Sequence, residues 1–75
     1  TIEYALQQAA QVSLEIFDLQ GRRVANFEEG TKGSGSYFVQ WNGTDGGGQK
    51  AATGTYVYRL TAGDELVSGL IQLAR

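Results

Sequence analysis

The residues able to do chemistry are few in this chain, and most sit in loop sequence. The segment Asn42-Gly43-Thr44-Asp45-Gly46-Gly47-Gly48 sets side-chain oxygens among glycines. A calcium loop needs several carboxylates at alternating positions, and Asp45 is the single carboxylate here. Asn42 and Asp45 are instead expected to bond the backbone of their own turn. The glycine run lacks a Gly-Lys-Ser/Thr ending and no helix follows, so it is not a phosphate loop. Asn42-Gly43-Thr44 also fits the N-glycosylation pattern. Glu28 and Glu29 are adjacent acids, but glycoside hydrolysis needs two carboxyl groups set apart across a bond; these are expected to be solvated. Lys32 and Lys50 are the candidates for an isopeptide cross-link to an asparagine, and loop sequence around both predicts solvated lysines instead. No histidine is present to activate a serine, and no cysteine to form a disulfide or a zinc site. The expectation is a chain with no catalytic residues, no cofactor and no metal: not an enzyme.

Such a chain must work through its surface, and composition limits which surface. Its 75 residues make one domain with a small core, and net stability on the usual per-residue scale is roughly 4–11 kcal/mol. The formal net charge is −2, from six basic and eight acidic residues. That argues against a nucleic-acid-binding surface, which needs clustered positive charge. Arg22 and Arg23 are the one adjacent basic pair. No apolar run approaches the roughly 20 residues of a membrane-spanning helix, and no signal peptide is visible. The chain has no methionine and no proline. The first absence predicts a domain taken from a longer protein; the second leaves glycine to make the turns.

Alternation of apolar and polar residues predicts strands. Ile2, Tyr4 and Leu6 mark a short first strand. Val12, Leu14 and Ile16 mark the clearest one, with Phe17 on its outer face. Asp18-Leu19-Gln20-Gly21 fits a type I turn, with Asp first and Gly fourth. The next strand is expected over residues 22–28, where the odd spacing of Val24 and Phe27 calls for a β-bulge. Residues 28–35 read as a polar loop. Tyr37, Val39 and Trp41 lie on one face of a strand over 36–42. Residues 42–53 form a long glycine-rich loop. Tyr56, Tyr58 and Leu60 mark a strand over 55–61, and Gly63-Asp64 a two-residue hairpin turn. The last strand, Glu65–Leu73, is more apolar than alternating. Six to seven short antiparallel strands without a useful helix predict an all-β, immunoglobulin-like β-sandwich.

The expected structural core is Val12, Leu14, Ile16, Tyr37, Val39, Trp41, Tyr56, Tyr58 and Leu60, with Trp41 between the sheets beside Leu14 and Tyr56 or Tyr58. The expected partner-binding residues are Glu65, Leu66, Val67, Leu70, Ile71 and Leu73 on the last strand, whose apolar content exceeds one buried face. Phe17 and Phe38 join them as outward aromatics. An exposed strand edge offers unpaired backbone groups to a partner.

The ordered motifs resemble a known family over nearly the whole chain. Thr1-Ile2-Glu3-Tyr4-Ala5-Leu6 is similar to its "T-I-x-Y-x-L" opening. Residues 12–24 are similar to its "V-x-L-x-I-Y-D-x-x-G-R-x-V" hairpin, with Phe17 in place of tyrosine. Residues 35–48 follow its tryptophan-glycine-aspartate pattern, residues 53–60 its "S-G-x-Y-x-Y-R-L" strand, and residues 69–75 echo its ending, with Gly69 where lysine is common. The family is that of the FlgD Ig-like domain, named after the flagellar hook-capping protein, and of the related C-terminal sorting domains of type IX secretion. The resemblance implies a single Ig-like domain over residues 1–75, a C-terminal fragment of a longer bacterial protein, extracellular or at the cell surface, and non-catalytic. It implies a sorting or anchoring module recognised by secretion or attachment machinery. The alternative is a structural assembly module that caps, scaffolds or polymerises through its sheet edges, with like subunits or parent-protein domains as partners. A third reading is a carbohydrate-binding module using Phe17 or Phe38.

Overall fold

The computed structural model describes residues 2–74. Its strands are β1 (Ile2–Leu6), β2 (Ala10–Phe17), β3 (Arg23–Lys32), β4 (Gly35–Val39), β5 (Gly54–Ala62) and β6 (Glu65–Leu73). Every pairing is antiparallel. One sheet has four strands in the order β3-β2-β5-β6, and the other has two, β1 and β4. There is no helix among the described residues. The architecture is an Ig-like β-sandwich with one broad layer and one narrow layer.

The core follows from β2. Its even-numbered residues Val12, Leu14 and Ile16 are fully buried, because β2 is paired on both sides and roofed by the narrow sheet. Leu60 opposes Leu14, and Tyr58 opposes Ile16, on β5. Ile2 and Val39, paired across the narrow sheet, close the cluster from above. Of the expected core residues, Val12, Leu14, Ile16, Val39, Tyr56 and Leu60 are buried, while Tyr37, Trp41 and Tyr58 are half-buried. Ile2 and Ala25 are buried as well.

Three sequence expectations need correction. Residues 28–32 are not loop: β3 continues to Lys32. The stretch looks like loop because it contains a register shift. Val12 pairs with Gly30 and Ser13 with Glu28, which leaves Glu29 bulged out beside Gly30 at positive φ. A second shift leaves Val24 unpaired, between Arg23 opposite Phe17 and Ala25 opposite Ile16. That bulge lets adjacent Val24 and Ala25 both reach the core and accounts for the odd spacing.

Trp41 is not inside a strand between the sheets. β4 stops at Val39, and the indole closes one end of the sandwich. It meets Tyr56 edge-on, with ring centroids 5.0 Å apart, and its Nε1 donates to the Thr44 carbonyl at 2.9 Å. Trp41 thus stays packed against the core beside Tyr56, whereas Tyr37 leaves it. Tyr37 stacks on Tyr4, 5.5 Å between centroids, and its hydroxyl donates to the Gly33 carbonyl.

Two loops are built alike. In Asp18-Leu19-Gln20-Gly21-Arg22, the Asp18 carboxylate accepts from the amides of Gln20 and Arg22. Gly21 donates back to the Asp18 carbonyl, and Asp18 to that of Arg22. In Asp45-Gly46-Gly47-Gly48-Gln49, Asp45 accepts from Gly47 and Gln49. Gly48 donates to the Asp45 carbonyl, and Asp45 to that of Gln49. Gly21 and Gly48 stand at φ 88° and 83°, a conformation other residues resist. This is a type I turn followed by a left-handed residue, a common way to close a hairpin. The glycine-rich segment is therefore an ordered hairpin, with Thr44 bridged to Lys50.

Trp41→Ala removes the end plug and is expected to cost about 3 kcal/mol. Asp45→Ala, which strips two amides of their acceptor, is expected to cost about 1–2 kcal/mol. Urea unfolding followed by circular dichroism measures both; no loss on either change would contradict this account.

Candidate functional site

β6 is an edge strand. It pairs with β5 over nine rungs, Gly54 opposite Leu73 through Ala62 opposite Glu65, without a register shift. Its two faces do different work. Ile71 and Leu73 are half-buried and pack against the core, so these two expected partner-binding residues belong to the domain's own interior. Leu66 and Leu70 point to the other face and are 60% and 69% exposed. Val67 points inward opposite Leu60, yet is 49% exposed, because the narrow sheet does not reach over it. Glu65 is exposed at the strand's start.

The outer face brings other predicted residues to Leu70. Leu70 opposes Val57, and Val57 opposes Phe17, so the three form one row across β6, β5 and β2. Val57 is the member that sequence reasoning missed, although its outward position follows from strand alternation with Tyr56 and Tyr58. The next row is polar, with two charges at its centre: Ser68, Arg59, Glu15 and Asn26. Arg59 Nη2 meets Glu15 Oε1 at 2.9 Å, and Arg23 Nη1 meets Glu15 Oε2 at 3.2 Å. The Arg59 guanidinium also lies 4.9 Å from the Phe17 ring centroid. The result is an apolar strip from Phe17 to Leu70 beside a three-residue ion network.

Phe38 is not part of this surface. It lies on β4, opposite Glu3, and alternation with buried Val39 turns it to the outside of the narrow sheet, 67% exposed. Phe17 and Phe38 thus face away from each other on opposite layers and make no shared stacking platform.

The residues weighed for chemistry take structural roles. Asn42 Oδ1 accepts from the amide and hydroxyl of Thr44. Glu28 accepts from the Asn26 side chain. Lys32 sits 5.5 Å from the Tyr37 ring centroid. No group of three or more His, Cys, Asp or Glu residues converges for metal binding among the described residues. No helix there is long and apolar enough to cross a membrane. The Tyr4 hydroxyl is buried near Glu29; burial foremost, then the charge of Glu29, raises its phenol above the ordinary value. Asp18 is lowered, first by the Arg22 amide it accepts. Gly69 lies under Tyr58, its cross-strand partner. A Cβ there would come within 2.7 Å of the phenol ring, so the position usually held by lysine in the resemblance carries glycine to make room for the ring.

Glu15 gives a pH-dependent handle. The hydrogen bond from Arg59 leads in holding its carboxyl below the ordinary value of 4.5, and Arg23 adds to it. A carboxylate depressed in the folded state stabilises above its unfolded pKa, and that contribution is lost as pH falls through the folded value. Glu15→Gln is expected to lower stability at pH 7 by up to about 1 kcal/mol, as exposed pairs do. The gap to the parent chain should close as pH drops below 4.5, and shrink at high salt. A gap that stays constant over an acid titration of unfolding would remove the network from the account.

No curated protein matches this chain. A family does, over residues 1–65, a stretch that ends where β6 begins and contains both aspartate hairpins, Trp41 and the tyrosine strand. With the six-stranded antiparallel sandwich already in view, that match means the chain belongs to the FlgD Ig-like domain family, whose members are non-catalytic structural modules.

Proposed function

We propose that this domain is a sorting or anchoring module of a secreted or surface-exposed bacterial protein, docked onto protein machinery through β6. One observation supports this above the others: the two edges of the broad sheet are unequal. β3 has a bulge near each end and carries Arg23, Glu28, Glu29 and Lys32, the features that keep an edge from pairing. β6 is straight, carries Glu65 as its one charge, and exposes Leu66, Val67 and Leu70. A free, apolar, regular edge accepts an added strand, with backbone bonds giving affinity and the alternate side chains giving selectivity.

A second reading is supported by the same edge: an assembly module in which β6 of one copy pairs with β6 of another. Sedimentation of the free domain separates the two. A monomer at high concentration favours docking onto a different protein, and a concentration-dependent dimer favours assembly.

The test of sorting uses surface changes, since removal of residues 65–73 would also take Ile71 and Leu73 from the core. Residues 1–75 are fused to a folded reporter in a bacterium with type IX secretion, alongside the Leu66→Lys/Leu70→Lys variant. The parent fusion is expected outside the cell, and the variant, with unchanged unfolding midpoint, is expected to stay inside. Retention of both fusions in more than one such host would end the sorting reading.

A further inference from the structure

The narrow sheet leaves part of the broad sheet's inner face uncovered, and the gap has the shape of a missing strand. A groove of about 940 Å³ runs between β1 and the inner face of β5 and β6. Tyr58, Leu60 and Val67 form its floor, and β1 with the following residues 7–10 forms one wall. β4 contributes no lining residue. The β1 edge not bonded to β4 therefore looks into the groove, and no other strand among the described residues pairs with it. The half-exposure of Val67 is the direct sign of this gap, since its cross-strand neighbour Leu60 is 5% exposed.

The charges around the groove indicate its occupant. Asp64 and Glu65 line it, Glu3 stands at its rim on β1, and no lysine or arginine lines it among the described residues. Glu3 stands toward one end of β1. Asp64 and Glu65 stand at the β5–β6 turn, which lies against Ala10 and Gln11 beyond the other end. We propose that the groove binds an extended, basic segment of a partner protein as a third strand on β1, with apolar side chains at alternate positions on Tyr58, Leu60 and Val67 and Lys or Arg toward the ends. Five to seven residues suffice, because β1 itself has five and side chains alternate faces along any strand. A second copy of this chain is the poorer fit. Its regular free edge, β6, starts on Glu65 and carries no lysine or arginine, so it would bring like charge to the acidic rim. This surface is distinct from the outer strip of Leu66, Leu70, Val57 and Phe17, and the inference does not depend on the sorting reading.

The test uses three synthetic seven-residue peptides on the intact domain: acetyl-Lys-Val-Thr-Val-Thr-Val-Lys-amide, the same peptide with glutamate at both ends, and the lysine peptide N-methylated at alternate residues. Amide chemical shifts are followed by NMR during titration at low salt. The lysine peptide is expected to shift β1 and Val67, to bind about tenfold more tightly than the glutamate peptide, and to lose binding on N-methylation. The exposed triple change Glu3→Lys/Asp64→Lys/Glu65→Lys is expected to reverse the preference between the charged peptides. The proposal is overturned by equal binding of the two charged peptides, by binding that survives N-methylation, or by shifts confined to the outer face of β6. Absence of shifts at millimolar peptide, or a self-associated domain whose own copy protects β1, overturns it as well.

Discussion

Everything in this domain hangs on the burial of three side chains from one strand. Val12, Leu14 and Ile16 are the largest side chains fully removed from water, and they sit on the strand with neighbours on both sides. The buried residues form one cluster among the described residues, so nothing takes over if that row is disturbed. β3 and β5 are placed by pairing to it, and Ile2 and Val39 by covering it. There is no disulfide to compensate, so the remaining stability comes from local devices: the end plug at Trp41, the aspartate hairpins, and the Tyr4–Tyr37 stack.

Much of this is visible in the chain before any coordinates. Strict alternation at 12–16 and 56–60 marks β2 and β5, because a two-residue period has one meaning when one face is buried. The Asp18 turn is visible because its carboxylate, its glycine and their spacing are all local. The less legible parts depend on contacts far apart in sequence. The bulge at Glu29 makes a strand look like a polar loop, since the extra residue exists only relative to β2. Trp41 continues the alternation of Tyr37 and Val39, but β4 ends before it, and only the folded hairpin at Asp45 supplies the carbonyl that holds its indole. The second aspartate hairpin is hidden by its own glycines, which look like flexibility when one of them, Gly48, is the fixed corner of the loop.

The candidate surface is legible in the same uneven way. The excess of apolar residues on β6 is plain in the chain, but its division is not. Ile71 and Leu73 turn to the core while Leu66 and Leu70 turn away, and Val67 faces inward without cover. That division follows from the mismatch of a four-stranded layer against a two-stranded one, a property of the assembled sheets and of no single segment. The same mismatch sets apart two exposed surfaces: an outer apolar strip beside the Arg59–Glu15–Arg23 network, and an inner groove with carboxylates at its rim.

The double bulge of β3 has a consequence for how large any assembly can grow. A sheet that is adhesive on both sides adds copies without limit and becomes a fibre. Here one side of the broad sheet is kinked and charged and the other is smooth, so two copies joined through β6 leave only the kinked margins of their joined broad sheet outward. Such a union is isologous and closes on itself at a pair. The domain can therefore keep an exposed apolar strand at β6 without that strand seeding open-ended growth of the broad sheet.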